Sequence, residues 1–179
     1  YTDPKGEYHY GFGDRSGGQL FDGNATNTPA NIIGETKLFS PGTHITQVYA
    51  GGDNACGIGK DGVSYCWGDN SYDAVGCDTT CDSNYEIGAT EDYAAPQTVD
   101  TAQRIEVFDA SSRYSCGISS SGAPYSGPLY CWGTRDYGIS TRLANSAAAS
   151  VEVDPLAASG GHDYSTLALS NYGGCAVRT

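Results

Sequence analysis

Residues 48–70 read VYAGGDNACGIGKDGVSYCWGDN, and the segment from Cys56 to Trp67 describes a β-hairpin. Lys60-Asp61-Gly62 has the chemistry of a three-residue loop, a type I turn closed by a glycine in the left-handed region. Such a loop sets Gly59 opposite Val63, makes Ile58 a neighbour of Ser64, and puts Cys56 directly across from Cys66. Facing residues in a non-hydrogen-bonded pair approach closely enough for a disulfide. The spacing therefore predicts a Cys56–Cys66 bond across the hairpin. Adjacent strand residues point to opposite faces, so Trp67 projects away from that bond.

The stretch recurs. Residues 107–133 read VFDASSRYSCGISSSGAPYSGPLYCWG, with Cys116 sixty positions after Cys56, and predict a second hairpin disulfide, Cys116–Cys131. The extra residues of this copy, around Ala123–Pro128, fall in the turn, where length is tolerated. Residues 158–179 read ASGGHDYSTLALSNYGGCAVRT and place TLALSNYG on ACGIGKDG. Leu167 and Val177 then occupy the places of Cys56 and Cys66, so an apolar cross-strand pair is expected there. Near the N-terminus, residues 5–23 (KGEYHYGFGDRSGGQLFDG) resemble the second half of the unit, with Phe12-Gly13-Asp14 standing for Trp67-Gly68-Asp69. Phe12, Trp67 and Trp132 are expected to be structural aromatics between sheets. The reading is a single domain over 1–179, with a half-unit at 1–40 and repeat units over about 41–103, 104–150 and 151–179.

Three cysteines remain. Cys77 and Cys81 lie together in a long acidic loop and are expected to bond to each other. Cys175 is left unpaired; it falls where Ser64 does, on the face of Leu169 and Val177, and reads as a buried thiol, with an intermolecular bond as the alternative. Seven cysteines without a CxxC pair, and three histidines (His9, His44, His162) without ligand spacing, do not form a zinc pattern. Disulfides of this density point to an oxidising compartment, so an extracellular, secreted or cell-surface location is expected. Asn24-Ala25-Thr26 is a candidate N-glycosylation site.

Composition sets limits on the fold and its partners. Leu, Ile, Val and Phe together make only 27 of 179 residues, and the net charge is -12. Such figures ordinarily read as disorder. The 14 tyrosines, 7 cysteines and repeated hydrophobic pattern argue instead for thin sheets braced by aromatics and covalent links. Nine Lys and Arg against 21 Asp and Glu leave no basic stripe for phosphates, which excludes nucleic acid as an expected partner. No run of about 18 apolar residues is present, so membrane insertion is not expected. The chain opens on Tyr1 and is read as a processed segment.

The succession AGG, CGI, DG and YCWGDN, together with GGQL, DG and Thr-Pro in the leading segment, resembles the RCC1-like repeat in its cysteine-containing secreted form. The resemblance covers most of the chain outside 71–103 and part of 134–150. It implies an all-β fold of four-stranded propeller blades, which in this family usually close a ring of seven. Three hairpins and a half-unit fall short of that ring. The expected architecture is therefore a disulfide-stapled partial array, or one completed by assembly, because uncovered blade faces and edges invite a partner. The strand-like EYHYGFG lacks a CGI strand of its own, and a neighbour is expected to complete it.

Candidate chemistry is sparse. Gly57, Gly59 and Gly62 match GxGxxG, yet Asp61-Gly62 turns straight into VSYCWG where a dinucleotide site needs a helix. No GxSxG elbow occurs, and His162-Asp163 stands in a turn-like SGGHD without a nucleophile. Asp69, Asp73, Asp78, Asp82 and Glu86 could offer oxygens to Ca²⁺ but lack EF-hand spacing, so a solvated acidic loop is expected. No enzyme activity, metal or cofactor is expected. The functional expectation is a non-catalytic extracellular interaction module whose partner is another copy of itself or another extracellular protein. The alternatives are a lectin using Trp and Tyr to hold a glycan, a calcium-dependent adhesin, and a secreted enzyme inhibitor. Members of the resembled family include chromatin-associated exchange factors and a secreted β-lactamase inhibitor, so fold alone does not decide among these.

Overall fold

A computed structural model describes residues 9–13, 30–36, 45–70, 74–76, 93–99, 104–120, 127–133, 151–152 and 163–179. The described elements are all strands: β1 (His9–Gly13), β2 (Ala30–Thr36), β3 (Ile45–Ala50), β4 (Asn54–Gly59), β5 (Ser64–Gly68) and β6 (Tyr93–Thr98) in the first half. The second half contributes β7 (Ile105–Ala110), β8 (Tyr114–Ser119), β9 (Leu129–Gly133), β10 (Val151–Glu152), β11 (Tyr164–Ser170) and β12 (Gly173–Arg178). Strands β3-β4-β5-β6 form one four-stranded antiparallel sheet and β7-β8-β9-β10 another, each strand beside its neighbour in sequence. Two hairpins, β1–β2 and β11–β12, flank them in the chain.

The two full sheets are copies down to the register. Cys56 faces Cys66 in the first, and Cys116 faces Cys131 in the second. Ile45 faces Gly59 and Ile105 faces Ser119, each followed by the same irregularity one residue on. The turn chemistry explains the first register. Gly62 adopts φ 80°, and the loop is closed by a Gly59 N–H donating to the Val63 carbonyl at 2.8 Å. The Asp61 carboxylate accepts from the Val63 N–H at 2.9 Å and from the Tyr65 hydroxyl at 3.2 Å, fastening the loop onto its own strand.

Packing follows from strand alternation. Cys56, Ile58 and Cys66 project from one face of the first sheet and meet Ile105, Phe108, Ala110 and Trp132 of the second, with Val75 and Val99 filling the same layer. On the other face of the first sheet, Trp67 packs with Ile45, Ala55 and Tyr65. Beyond the second sheet, Tyr114, Cys116 and Cys131 pack with Leu129 and with Leu167 and Leu169 of the last hairpin. The second sheet thus turns its disulfide toward the last hairpin and its tryptophan toward the first sheet. Thin layers of few aliphatics suffice where a layer is shared by two units, as those around Phe108 and around Tyr114 are.

The leading strand β1 pairs antiparallel with β2 of its own chain, with His9 facing Thr36 and Tyr10 facing Glu35. This parallels the pairing of β5 with β6 in the first full sheet.

The last hairpin differs more. Leu167 faces Ala176, and Val177 faces Thr166, because Ser170 and Gly173 pair around a two-residue loop of Asn171 and Tyr172. One residue fewer in the loop changes the pairing of every residue along β12. Gly174 favours this register by lying under Leu169, where an added Cβ would sit 2.5 Å from Leu169 Cδ2. The hairpin is also turned over relative to its two predecessors. Set down as they are, it would offer Thr166 and Ala168 of β11 to the layer of Tyr114 and Cys116. The opposite face offers Leu167 and Leu169, and burying a leucine is worth about 1.5–3 kcal/mol when complete. The changed register leaves Cys175 exposed rather than buried, on the face opposite Leu169.

Candidate interaction surface

The junction between the two full sheets is built on a turn, Ala74-Val75-Gly76. The Ala74 carbonyl accepts two hydrogen bonds from the second sheet, from Trp132 Nε1 at 2.9 Å and from the Ser115 hydroxyl at 3.0 Å. Asn70 holds the turn from its own side, its Oδ1 accepting from the Val75 N–H at 3.0 Å. Gly76 has φ 66°, and a Cβ there would lie 2.4 Å from Trp132 Cδ1, so only glycine lets the indole approach. Phe108 meets the same indole edge-on at a centroid distance of 5.8 Å. Trp132 is therefore hydrogen-bonded at its polar atom and packed on its apolar body, the condition under which a buried indole stabilises.

The next junction uses different groups for the same end. The Tyr114 hydroxyl donates to the Ser170 carbonyl at 2.6 Å, and the Asp109 carboxylate accepts from the Leu169 N–H at 2.7 Å. Burial of Tyr114 raises its pKa above the ordinary tyrosine value, because the phenolate would lose its hydration. A raised folded value means that this stabilisation is complete below about pH 10 and is lost as pH climbs through the folded pKa. Tyr114→Phe is expected to cost about 0.5–1.5 kcal/mol at neutral pH through the lost hydrogen bond. It is also expected to flatten the alkaline fall in stability. Urea unfolding at pH 8 and pH 10.5 compares the two proteins, and equal alkaline losses in both would refute the assignment.

The structure locates the residues singled out by sequence as follows. Sulfur–sulfur bonds join Cys56 to Cys66 and Cys116 to Cys131, all four half-cystines being buried. Trp132 is buried between the two full sheets, and Trp67 is buried against Ile45 and Ala55 of its own sheet. Phe12 lies in β1, beside Gly11 and Gly13, which pair with β2. Cys77, Cys81, Asn24, His44, His162, Asp73, Asp78, Asp82 and Glu86 lie outside the described residues. Gly57, Gly59 and Gly62 belong to the β4–β5 hairpin and precede no helix. The Asp163 carbonyl accepts from the Thr179 N–H at 2.9 Å. Sequence reasoning missed the Ala74-Val75-Gly76 turn. The signal that could have found it is the parallel between the run after Trp67-Gly68 and the GGQL run after Phe12-Gly13.

A family model described as "Regulator of chromosome condensation (RCC1) repeat" matches residues 45–73, the stretch that contains β3, β4 and β5. Solved structures extend the likeness to nearly the whole chain. Yeast RCC1 (Prp20), in a crystal structure bound to Kap60, superposes with a TM-score of 0.66 at 17% identity over 96% of this chain and 38% of that one. The chain is RCC1-like in repeat and in fold. Human WBSCR16 is similar at a TM-score of 0.67 and 19% identity, covering 99% of this chain and 42% of its own. A further structure of Prp20p from Saccharomyces cerevisiae gives a TM-score of 0.64 at 16% identity, covering 92% and 38%. No curated protein sequence matches this chain significantly. The two four-stranded sheets are thus RCC1-type propeller blades, and the RCC1-like chain spans about two fifths of the length of the propellers it matches.

Equivalent positions on the blades are unequally covered. Phe108 is 2% exposed, held between the blades, whereas Val48, sixty positions earlier on the matching strand, is 50% exposed. At the other end of the described array Val177 is 58% exposed on the outer face of β12. The first full blade and the last hairpin therefore each present a large apolar side chain to solvent.

Proposed function

We propose that this chain is a non-catalytic extracellular protein-interaction module of the cysteine-containing RCC1-like type, and that it associates with copies of itself through the two ends of its blade array. The contrast between Phe108 and Val48 carries the reading: one site on two equivalent blades is covered by the neighbouring blade in one case and open in the other. Val48 on the first full blade and Val177 on the last hairpin suit a head-to-tail contact, which closes into a ring or continues as an array depending on the rotation between copies. Two buried disulfides favour an oxidising compartment. A protein partner also suits a net charge of -12, which repels nucleic acid. Burial of both indoles weighs against the glycan-binding alternative, which needs an exposed aromatic platform.

Light scattering at rising concentration tests the proposal. The expected mass exceeds 18.7 kDa and grows with concentration, and Val48→Glu lowers self-affinity at least tenfold by placing a charge in the contact. A mass of 18.7 kDa at every concentration, for both proteins, would end this reading.

A further inference from the structure

We propose that the β11–β12 hairpin exchanges between two registers related by a one-residue slip of β12, and that the second is the register of the first two repeats. In the register described above, Ser170 faces Gly173 and Leu167 faces Ala176. This arrangement divides the apolar side chains between two faces: Leu167 and Leu169 pack inward on Tyr114 and Cys116, while Val177 is 58% exposed and Cys175 is exposed beside it. Slipping β12 by one residue makes a three-residue loop of Asn171-Tyr172-Gly173. Leu167 then faces Val177 and Leu169 faces Cys175, as Cys56 faces Cys66 in the first blade. All four apolar side chains gather on one face, the condition under which a further blade can bury them.

The glycines supply the second argument. Gly174 uses its missing Cβ in the register described, but Gly173 does not: no atom lies within 4 Å of where its Cβ would be, and its backbone is not left-handed. In the slipped register Gly173 occupies the place of Gly62, the loop-closing residue at φ 80°. Glycine is the residue that meets this requirement without strain. Favoured two-residue loops take residues tolerant of positive φ, which Tyr172 is not by type, so neither turn holds the hairpin exclusively. The consequence is a hairpin that keeps its leucines on Tyr114 in one register and can offer them to a neighbouring blade in the other.

Competitive disulfide trapping in a Cys175→Ser background tests the exchange. Leu167→Cys is combined either with Ala176→Cys, which reports the described register, or with Val177→Cys, which reports the slipped one. Both proteins are equilibrated in a glutathione buffer and mapped by peptide mass spectrometry, with the Cys56–Cys66 and Cys116–Cys131 peptides as folding controls. Both new bonds are expected, and adding Gly173→Ala should reduce only the 167–177 bond, at least fivefold. Trapping at 167–176 alone overturns the proposal. So does trapping at neither pair with the control bonds intact, or an equal effect of Gly173→Ala on both.

Discussion

Trp132→Ala is expected to destabilise the protein by about 3–5 kcal/mol, the range for deleting a buried large aromatic. The indole is 2% exposed and lies in the layer where the two blades meet, so its loss opens a cavity at the junction itself. It also leaves the Ala74 carbonyl with the Ser115 hydroxyl as its remaining side-chain donor. A domain of this size is stable by about 5–15 kcal/mol in total, so the effect is a large fraction of the whole. Trp132→Phe keeps an aromatic ring but removes the Nε1 donor, and a smaller loss of about 1–3 kcal/mol is expected. Denaturant midpoints measure both, with Trp67 as the remaining fluorescent reporter. A loss below about 1 kcal/mol for the alanine variant would mean that the blades do not stack through this residue.

Removing the Cys56–Cys66 bond by Cys56→Ala and Cys66→Ala should cost about 3 kcal/mol in chain entropy for a closed loop of roughly ten residues, with a further penalty for the space the sulfurs filled. The bond sits at 0% exposure between the blades, so its two effects act on the same layer as Trp132. The two sets of substitutions should therefore be non-additive. Cys56→Val with Cys66→Val should recover part of the loss by refilling the layer while leaving the chain-entropy term unpaid. Thermal and denaturant unfolding of the three variants separate the two contributions. Equal stability of wild type and the double alanine variant would show that the bond braces nothing.

Where side-chain chemistry dictates a turn, register could be read directly from sequence. Lys60-Asp61-Gly62 has one good solution, and from it Cys56 opposite Cys66 follows by counting. Cys116 and Cys131 kept their pairing despite the longer loop because the cysteines mark the same rung. The last copy has no such marker. Asn171-Tyr172-Gly173-Gly174 admits two loop lengths, and the choice depends on Leu169 packing over Gly174, a tertiary contact that no local pattern announces. Its inversion puts Leu167 and Leu169, rather than Thr166 and Ala168, on Tyr114 and Cys116. The junction turn was hidden for a related reason. Ala74-Val75-Gly76 is an ordinary tripeptide until Trp132, 58 residues from Ala74, supplies the indole that requires its glycine and its carbonyl.

Two of the repeated hairpins are each braced by a cross-strand disulfide and are laid one against the other. Non-reducing peptide mapping by mass spectrometry tests this most directly. The predicted result is one peptide pair joining Cys56 to Cys66 and another joining Cys116 to Cys131, with Cys175 alkylated by a reagent added before unfolding. Bonds between the hairpins, such as Cys56 to Cys116, or free thiols at these four positions, would contradict it.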